Sequence, residues 1–156
     1  MNDAPLAEIV NVRFVGERIG SSGQPTEAQL ADIAAAGYRA VINLALHDDP
    51  RYSLKDERGT VEALGMEYVH IPVVFTAPKL DEVVRFFDAM DANKDRKVWV
   101  HCAANYRVSV FLGIYRVIRE GCGRDEAFAQ LRSLWEPNEV WRDFIEKALA
   151  TRANSG

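Results

Sequence analysis

The hydrophobic positions along the chain alternate between short continuous runs and longer stretches with helical spacing. Three apolar runs, at residues 39–44, 66–71 and 97–100, have the length and composition of buried strands. Between and after them, apolar residues recur every three or four positions, as is typical of helices with one buried face. Strands that alternate with helices in this way predict a parallel sheet covered by helices on both faces.

Capping and turn residues mark where the helices begin and end. Thr26 and Gln29 have the spacing of a capping box, which predicts a helix to about residue 36, and Gly37 ends it. Asn138 is the expected cap of the last helix, and a hairpin around Gly16 predicts an antiparallel edge strand. The further predicted helices cover residues 54–64, 80–90, 107–120, 125–134 and 138–149.

These elements predict a three-layer α/β domain with a central, largely parallel sheet of four to five strands and helices on both faces. A chain of 156 residues is long enough for one such domain with a sizeable core. We assign residues 1–150 to this domain. Residues 151–156 are small and polar, so we expect a flexible tail there.

Charge and composition narrow the range of partners. The formal net charge is −4, which argues against nucleic acid because binding a long polyanion requires a broad basic face. A small oxyanion or a phosphorylated substrate needs only a few local groups. We expect no membrane association, since the chain has no secretory signal and no apolar run of about 18 residues. A predicted helix separates Cys102 from Cys122, so both thiols are expected to be reduced in a cytoplasmic bacterial protein.

The segment that follows the third predicted strand carries the candidate chemistry. Ligands of open parallel sheets bind at the carboxyl ends of the strands, and Cys102 lies at such an end, while all three histidines lie there or just beyond. Residues 102–106 would join this strand to the N-terminus of a buried helix, where free backbone N–H groups bind anions and favour a thiolate. Arg107 could hold an oxyanion through two donors. His101 could hold the cysteine backbone or polarise the thiol.

Several short motifs occur together with this His-Cys loop. They are Ser-Gly-Gln-Pro-Thr at 22–26, Val-Ile-Asn-Leu at 41–44, His-Ile-Pro-Val at 70–73 and Trp-Glu-Pro-Asn at 135–138. In combination they resemble a bacterial tyrosine-phosphatase-like family of the cysteine-dependent phosphatase superfamily. The resemblance covers roughly residues 18–148. It implies a phosphatase-like fold and hydrolysis of phosphomonoesters through a phosphocysteine intermediate.

The loop departs from the pattern of that superfamily by one residue. The superfamily has His-Cys, five residues, an arginine and then Ser or Thr, with glycine third among the five. Here Val108 takes the arginine position, Arg107 comes one residue early, and Asn105 takes the glycine position. Asparagine tolerates the left-handed backbone conformation better than other non-glycine residues, so a shorter Cys-x4-Arg loop is feasible.

The resemblance assigns roles to individual residues. Cys102 is the expected nucleophile, Arg107 the anion ligand, and Ser109 the group that eases departure of the thiolate. The substrate-binding residues are expected to be His101, Ala103, Ala104, Asn105, Tyr106, Ser109 and Gln24, although Gln24 could serve only the turn and Tyr106 could form a wall of the pocket.

A phosphatase also requires a general acid to protonate the leaving oxygen. The loop at residues 71–81 is the expected source, and Asp81 is its one acidic residue. Asp81 could instead only complement a helix dipole. Glu57 and Asp49 are alternative acids from the neighbouring loop.

Two other functions remain open from the sequence. A Cys-x4-Arg loop resembles that of rhodanese-type sulfurtransferases, in which Cys102 would carry a persulfide. An inactive phosphatase fold that only binds an anion or a partner protein is the third hypothesis. The spacing of the histidine and acidic residues matches no compact zinc pattern, so neither a metal nor a cofactor is expected.

Overall fold

The sheet has five strands and the predicted parallel core. A computed structural model describes residues 4–47 and 53–151 of the chain. The strands lie in the order β1-β2-β5-β3-β4, and only the β1–β2 pair is antiparallel. Their bounds are β1 (Arg13–Val15), β2 (Ile19–Ser22), β3 (Tyr38–Asn43), β4 (Glu67–His70) and β5 (Lys97–His101). The α/β architecture with a largely parallel sheet is therefore confirmed, as is the antiparallel hairpin at Gly16.

Helices follow each strand of the parallel core. A short 3-10 helix, which the hydrophobic pattern does not predict, covers Ala4–Glu8 at the start of the described chain. The α-helices are α1 (Glu27–Ala35), α2 (Glu57–Ala63), α3 (Leu80–Ala92), α4 (Tyr106–Ile118), α5 (Arg124–Ala127), α6 (Ala129–Leu134) and α7 (Glu139–Ala150).

The capping predictions hold at both ends of the chain. Thr26 accepts a hydrogen bond from the Gln29 backbone at 3.1 Å, and the Gln29 side chain accepts one from the Thr26 backbone at 2.9 Å. This reciprocal pair satisfies two N–H groups at the helix end that have no partner in the helix. Asn138 caps α7 through the backbone N–H of Trp141.

Two predicted helices differ from the observed ones. Helix α2 begins at Asp56–Glu57 and not at residue 54, because the Asp56 carboxylate caps it through the N–H of Gly59. The single helix predicted over 125–134 is interrupted at Phe128, between α5 and α6. The Phe128 ring packs directly over Gly113 of α4, where an added Cβ would lie 2.3 Å from the ring. Tertiary packing of this ring onto α4 thus accompanies the break.

The two faces of the sheet are covered by different layers. Alternate side chains of β5 point to opposite faces, so Val98 and Val100 pack in the core with α3, α4 and α7. Trp99 packs in the second core with α1, α2 and the 3-10 helix. Both cores contain fully buried residues from the sheet. Helices on both faces therefore hold β5 in the centre and fix the position of the segment that follows it.

The carboxyl ends of the four parallel strands form one row. Ser22 is paired with His101, His101 with Asn43, and Asn43 with His70. Cys102 follows directly after this row. The prediction that the histidine and cysteine side chains gather at one edge of the sheet is confirmed for His70 and His101, and His47 lies just beyond the end of β3.

Some expectations from the sequence fall outside this description. Apart from Thr151, the predicted tail lies outside the described residues, as do Asp48 and Asp49.

Both Cys102 and Cys122 are free thiols. Within residues 4–47 and 53–151, no helix is long and apolar enough to cross a membrane. The same ranges contain no cluster of three or more histidine, cysteine or acidic side chains placed to bind a metal ion.

Candidate active site

Cys102 lies at the junction between the central strand and the central helix. Its residue surface is only 1% exposed, and its backbone N–H donates to the Ser22 carbonyl at 3.3 Å. The turn into α4 is made at Asn105, which has φ +70° and is the residue that precedes the helix. The left-handed conformation expected for Asn105 is thus present. Glycine accepts this conformation freely, and asparagine is the next best choice.

The carbonyl groups of the loop are turned towards the N-terminal part of the chain. The Ala103 carbonyl accepts from the Gln24 backbone N–H at 3.1 Å, and the Ala104 carbonyl accepts from Asn11 Nδ2 at 3.0 Å. In a trans peptide the N–H points opposite to the C=O, so the Ala104 N–H faces away from Gln24. It joins the N–H groups of the first turn of α4, which have no partner within the helix. This arrangement suits an anion.

A buried chain of polar groups connects Gln24 through Glu57 and His101 to the backbone of Cys102. Gln24 Nε2 donates to Glu57 Oε1 at 2.9 Å, and Glu57 Oε2 lies 2.5 Å from His101 Nε2. The other ring nitrogen of His101 lies 3.3 Å from the Cys102 carbonyl oxygen. His101 therefore contacts the cysteine backbone, which is the first of its two predicted roles. The side chains of Glu57 and His101 are both fully buried.

The environment of Glu57 favours its ionised form. Burial opposes ionisation of this carboxyl group, but the charge of His101 and hydrogen bonds from His101 and Gln24 outweigh burial and lower the pKa of Glu57. A general acid must carry its proton near neutral pH. The lowered pKa and the full burial of this carboxyl group argue against Glu57 as the alternative acid, and Glu57 is the hydrogen-bonded partner of His101. Sequence reasoning missed this pair because 44 residues separate its members.

Arg107 reaches the loop that joins β4 to α3. Its Nη1 donates to the Val73 carbonyl at 2.9 Å, and its guanidinium carbon lies 5.9 Å from the centre of the Phe75 ring. One N–H of the guanidinium is thus engaged by the backbone, and the group has further donors for a ligand. Arg107, the second residue of α4, therefore contacts the loop that joins β4 to α3.

Two other predicted site residues, Ser109 and Tyr106, lie on α4, and both contact Trp135. Ser109 Oγ donates to the Tyr106 carbonyl at 2.6 Å and accepts from Trp135 Nε1 at 3.0 Å. The ring of Tyr106 stacks on Trp135 with centroids 4.8 Å apart. Tyr106 is the first residue of α4 and not a loop residue as predicted. Among the described residues, the Ser109 hydroxyl makes no hydrogen bond with Cys102.

Asp81 lies exposed in the first turn of α3. The neighbouring Glu82 makes the capping contact, since its carboxylate accepts from the Lys79 backbone N–H at 2.8 Å. A negative charge at the position of Asp81 stabilises the helix N-terminus. It is nonetheless the acidic residue closest in sequence to the loop that Arg107 contacts.

A second polar cluster borders the site at the ends of β3 and β4. The side-chain oxygen Oδ1 of Asn43 accepts from the Ala45 N–H at 2.8 Å, which directs Nδ2 to His47 Nε2 at 2.9 Å and Tyr68 Oη at 3.0 Å. Because Nδ2 only donates, His47 Nε2 is the acceptor of this hydrogen bond. His70 stacks on His47 at 4.4 Å, and burial lowers the pKa of His70.

The conformation of Asn105 makes a testable contribution to the loop. Replacing Asn105 with alanine should destabilise the protein by about 2–4 kcal/mol, because alanine resists positive φ and the hydrogen bonds of Nδ2 to Asn11 and Ser21 are lost. Asn105→Gly should lose less stability than Asn105→Ala, since glycine accepts the conformation. Urea unfolding of both variants measures the difference. Equal losses would show that backbone conformation is unimportant here.

The fold defines the class of protein. Solved structures with this architecture include Tk-PTP in its active form, with a TM-score of 0.76 and 21% identity over 90% of this chain and 97% of that one. PTPMT1 in complex with PI(5)P aligns with a TM-score of 0.78 and 14% identity over 92% and 97% of the two chains. At these identities the comparison establishes the fold, which is that of tyrosine-phosphatase-like proteins.

The chain belongs to the family described as "DSP-PTPase phosphatase fused to NAD+ Kinase", whose model matches residues 16–144. A DUF442 protein of Shewanella putrefaciens CN-32, named as a candidate phosphatase, has a TM-score of 0.87 and 30% identity over 97% of this chain and 99% of its own. The beta-lactamase hydrolase-like protein of Xylella fastidiosa Temecula1 is 30% identical over 74% of this chain. The present chain spans only 27% of the length of that relative.

Proposed function

We propose that this protein is a cysteine-dependent phosphatase that hydrolyses phosphomonoesters through a phosphocysteine at Cys102. The observation that carries the proposal is the placement of Cys102 between the end of β5 and the N-terminus of α4, beside a left-handed Asn105. A thiolate and a dianionic phosphate ester both suit such a helix N-terminus. The solved structures compared above have phosphatase folds, which supports phosphatase chemistry over sulfur transfer.

The first chemical step transfers the phosphoryl group to sulfur. The thiolate of Cys102 attacks phosphorus, an S–P bond forms, and the P–O bond to the leaving group breaks with its electron pair on oxygen. The loop N–H groups and Arg107 hold the non-bridging oxygens, where negative charge is concentrated. Water then attacks the phosphocysteine, which yields inorganic phosphate and restores the thiolate.

Protonation of the leaving oxygen is assigned to Asp81. The carboxyl group would give its proton to the departing alkoxide and then accept one from the attacking water. Substrates whose leaving group is already a weak base need this proton least. Turnover should therefore be faster for aryl phosphates than for alkyl phosphates, and the ratio should rise further in Asp81→Asn if Asp81 is the acid.

A trapping experiment tests the phosphocysteine directly. The protein is mixed with excess p-nitrophenyl phosphate, quenched in acid within the first turnovers, digested and examined by mass spectrometry for phosphate on the peptide that contains Cys102. Phosphate on this peptide, with release of p-nitrophenol, is the expected result. Turnover without labelling would reject the covalent mechanism.

Two further assays on the parent protein distinguish the two alternative functions. Sulfur transfer from thiosulfate to cyanide, with a persulfide on Cys102, would identify the protein as a sulfurtransferase and not a phosphatase. No turnover in either assay, together with a higher melting temperature in phosphate, would indicate an inactive module that binds anions.

Arg107→Lys is expected to lower kcat/KM for p-nitrophenyl phosphate about a hundredfold. A lysine is a point charge and cannot contact the Val73 carbonyl while presenting paired, coplanar donors to phosphate. Steady-state kinetics measures the change. Arg116→Lys is the matched control, because Arg116 is on the same helix but pairs with Glu120 and Glu126, and its activity should be unchanged. Equal effects of the two variants would remove Arg107 from the proposed site.

A further inference from the structure

A segment that precedes the region matched by the family contacts the cysteine loop. The family model begins at residue 16, whereas residues 4–12 lie before it. This N-terminal segment contains the 3-10 helix and is anchored in the core with α1 and α2 by Leu6 and Ile9, which are 0% and 2% exposed. Its position is therefore set by packing and not only by chain connectivity.

Asn11 and the cysteine loop exchange hydrogen bonds. Asn11 Nδ2 donates to the Ala104 carbonyl at 3.0 Å, and Asn105 Nδ2 donates to the Asn11 carbonyl at 2.8 Å. Asn11 and Asn105 are the two non-glycine residues with positive φ in the described chain, at +52° and +70°. Each is held in this unfavourable conformation while it bonds to the other segment.

Neighbouring contacts tighten the same junction. The Gly23 N–H donates to the Val10 carbonyl at 2.8 Å, so β2 joins the N-terminal segment one residue before Asn11. A Cβ on Gly23 would lie 2.4 Å from the Ala103 carbonyl oxygen and 2.6 Å from Val10 Cγ1. There is no room for a side chain between the N-terminal segment and the loop. The N-terminal segment, Gly23 and the cysteine loop are therefore in close contact.

We propose that Asn11 is a positioning residue for the anion site: it holds the Ala104 carbonyl outward and stabilises the turn at Asn105. The Ala104 carbonyl and the Asn105 N–H belong to the same peptide and point in opposite directions, so the bond from Asn11 fixes the orientation of the peptide that leads into α4. Asn11 thereby makes the N-terminal segment part of the site. This inference rests on the proposed anion site at Cys102, but it does not require turnover.

The test measures phosphate affinity without relying on catalysis. All proteins carry Cys122→Ser, so that Cys102 is the one remaining thiol. Alkylation of Cys102 by iodoacetamide is followed at increasing concentrations of inorganic phosphate, and the concentration that halves the rate is determined. Asn11→Gly keeps the positive φ accessible but removes the bond to Ala104, and it should raise this concentration about fivefold to tenfold. Any measurable kcat/KM should fall in parallel.

A control substitution at a second asparagine distinguishes the loss of loop positioning from a general loss of stability. Asn138→Gly removes the side-chain cap of α7, which typically costs only a few tenths of a kcal/mol, and it should leave phosphate protection unchanged. Asn11→Gly with the same half-protecting concentration as the parent protein, within about twofold, would overturn the inference. Phosphate that fails to protect Cys102 in the parent would overturn the anion site itself. Protection without phosphocysteine formation would reject the enzymatic function alone.

Discussion

Cys102→Ser is expected to lower kcat/KM for p-nitrophenyl phosphate by about a thousandfold or more. A serine hydroxyl at the same site is largely protonated near neutral pH, so it is a much weaker nucleophile than a thiolate. Since the group that bonds to phosphorus is itself replaced, the effect should exceed that of removing any single anion ligand. Steady-state assays with a protein concentration sufficient to detect the residual rate measure the loss.

The second cysteine supplies the control for this substitution. Cys122 lies between α4 and α5, at the opposite end of α4 from the loop, and is partly exposed. Cys122→Ser should retain the parent activity and stability within experimental error. A Cys102→Ser protein that is folded by circular dichroism and still hydrolyses the substrate at the parent rate would contradict the proposed mechanism.

Glu57→Gln is expected to destabilise the fold by about 3 kcal/mol near neutral pH. The substitution keeps the size of the side chain but removes the charge that faces His101, and breaking a buried ion pair from one side typically costs about 3–5 kcal/mol. Urea unfolding followed by tryptophan fluorescence measures the loss. Glu62→Gln on the same helix is the control, since its ion pair with Arg58 is more than half exposed and should contribute less than about 1 kcal/mol.

The difference between the parent and Glu57→Gln should depend on pH in a defined direction. The pKa of Glu57 is lowered in the folded protein from its ordinary value of 4.5, despite burial, by His101 and Gln24. The stabilisation is then complete above about pH 4.5 and is lost as the pH falls through the lower, folded-state pKa. Unfolding curves from pH 7 to 3 should therefore converge on acidification. A difference that grows towards low pH would contradict the ionic assignment.

The site was partly predictable because its central loop is local in sequence. A His-Cys pair at the end of an apolar run, with an asparagine and an arginine close behind, is enough to predict a strand, a turn and a helix N-terminus. The left-handed turn at Asn105 follows from the same reasoning and is observed. The break at Phe128 was not predicted, and the contact that accompanies it is made with Gly113 of another helix.

The roles of Glu57 and Asn11, which lie next to the cysteine loop, could not be predicted from the sequence for a related reason. Glu57 appears in the sequence as one acidic residue at the start of a helix, and Asn11 as one polar residue near the N-terminus. Neither has a spacing that distinguishes it from solvent-exposed residues of the same type. Their roles depend on partners that are distant along the chain, His101 for Glu57 and Ala104 for Asn11.

The amino-acid sequence by itself determined the alternation of strands and helices, the caps of α1 and α7, and the placement of Cys102 at the end of a strand. These features depend on periodicity and on contacts within a few residues, which local physical rules describe. Only the tertiary structure decided that Glu57 bonds to His101, that Arg107 contacts Val73, and that Asn11 bonds to the Ala104 carbonyl. Burial and long-range hydrogen bonding arise once the sheet has brought distant segments together, and no local pattern encodes them.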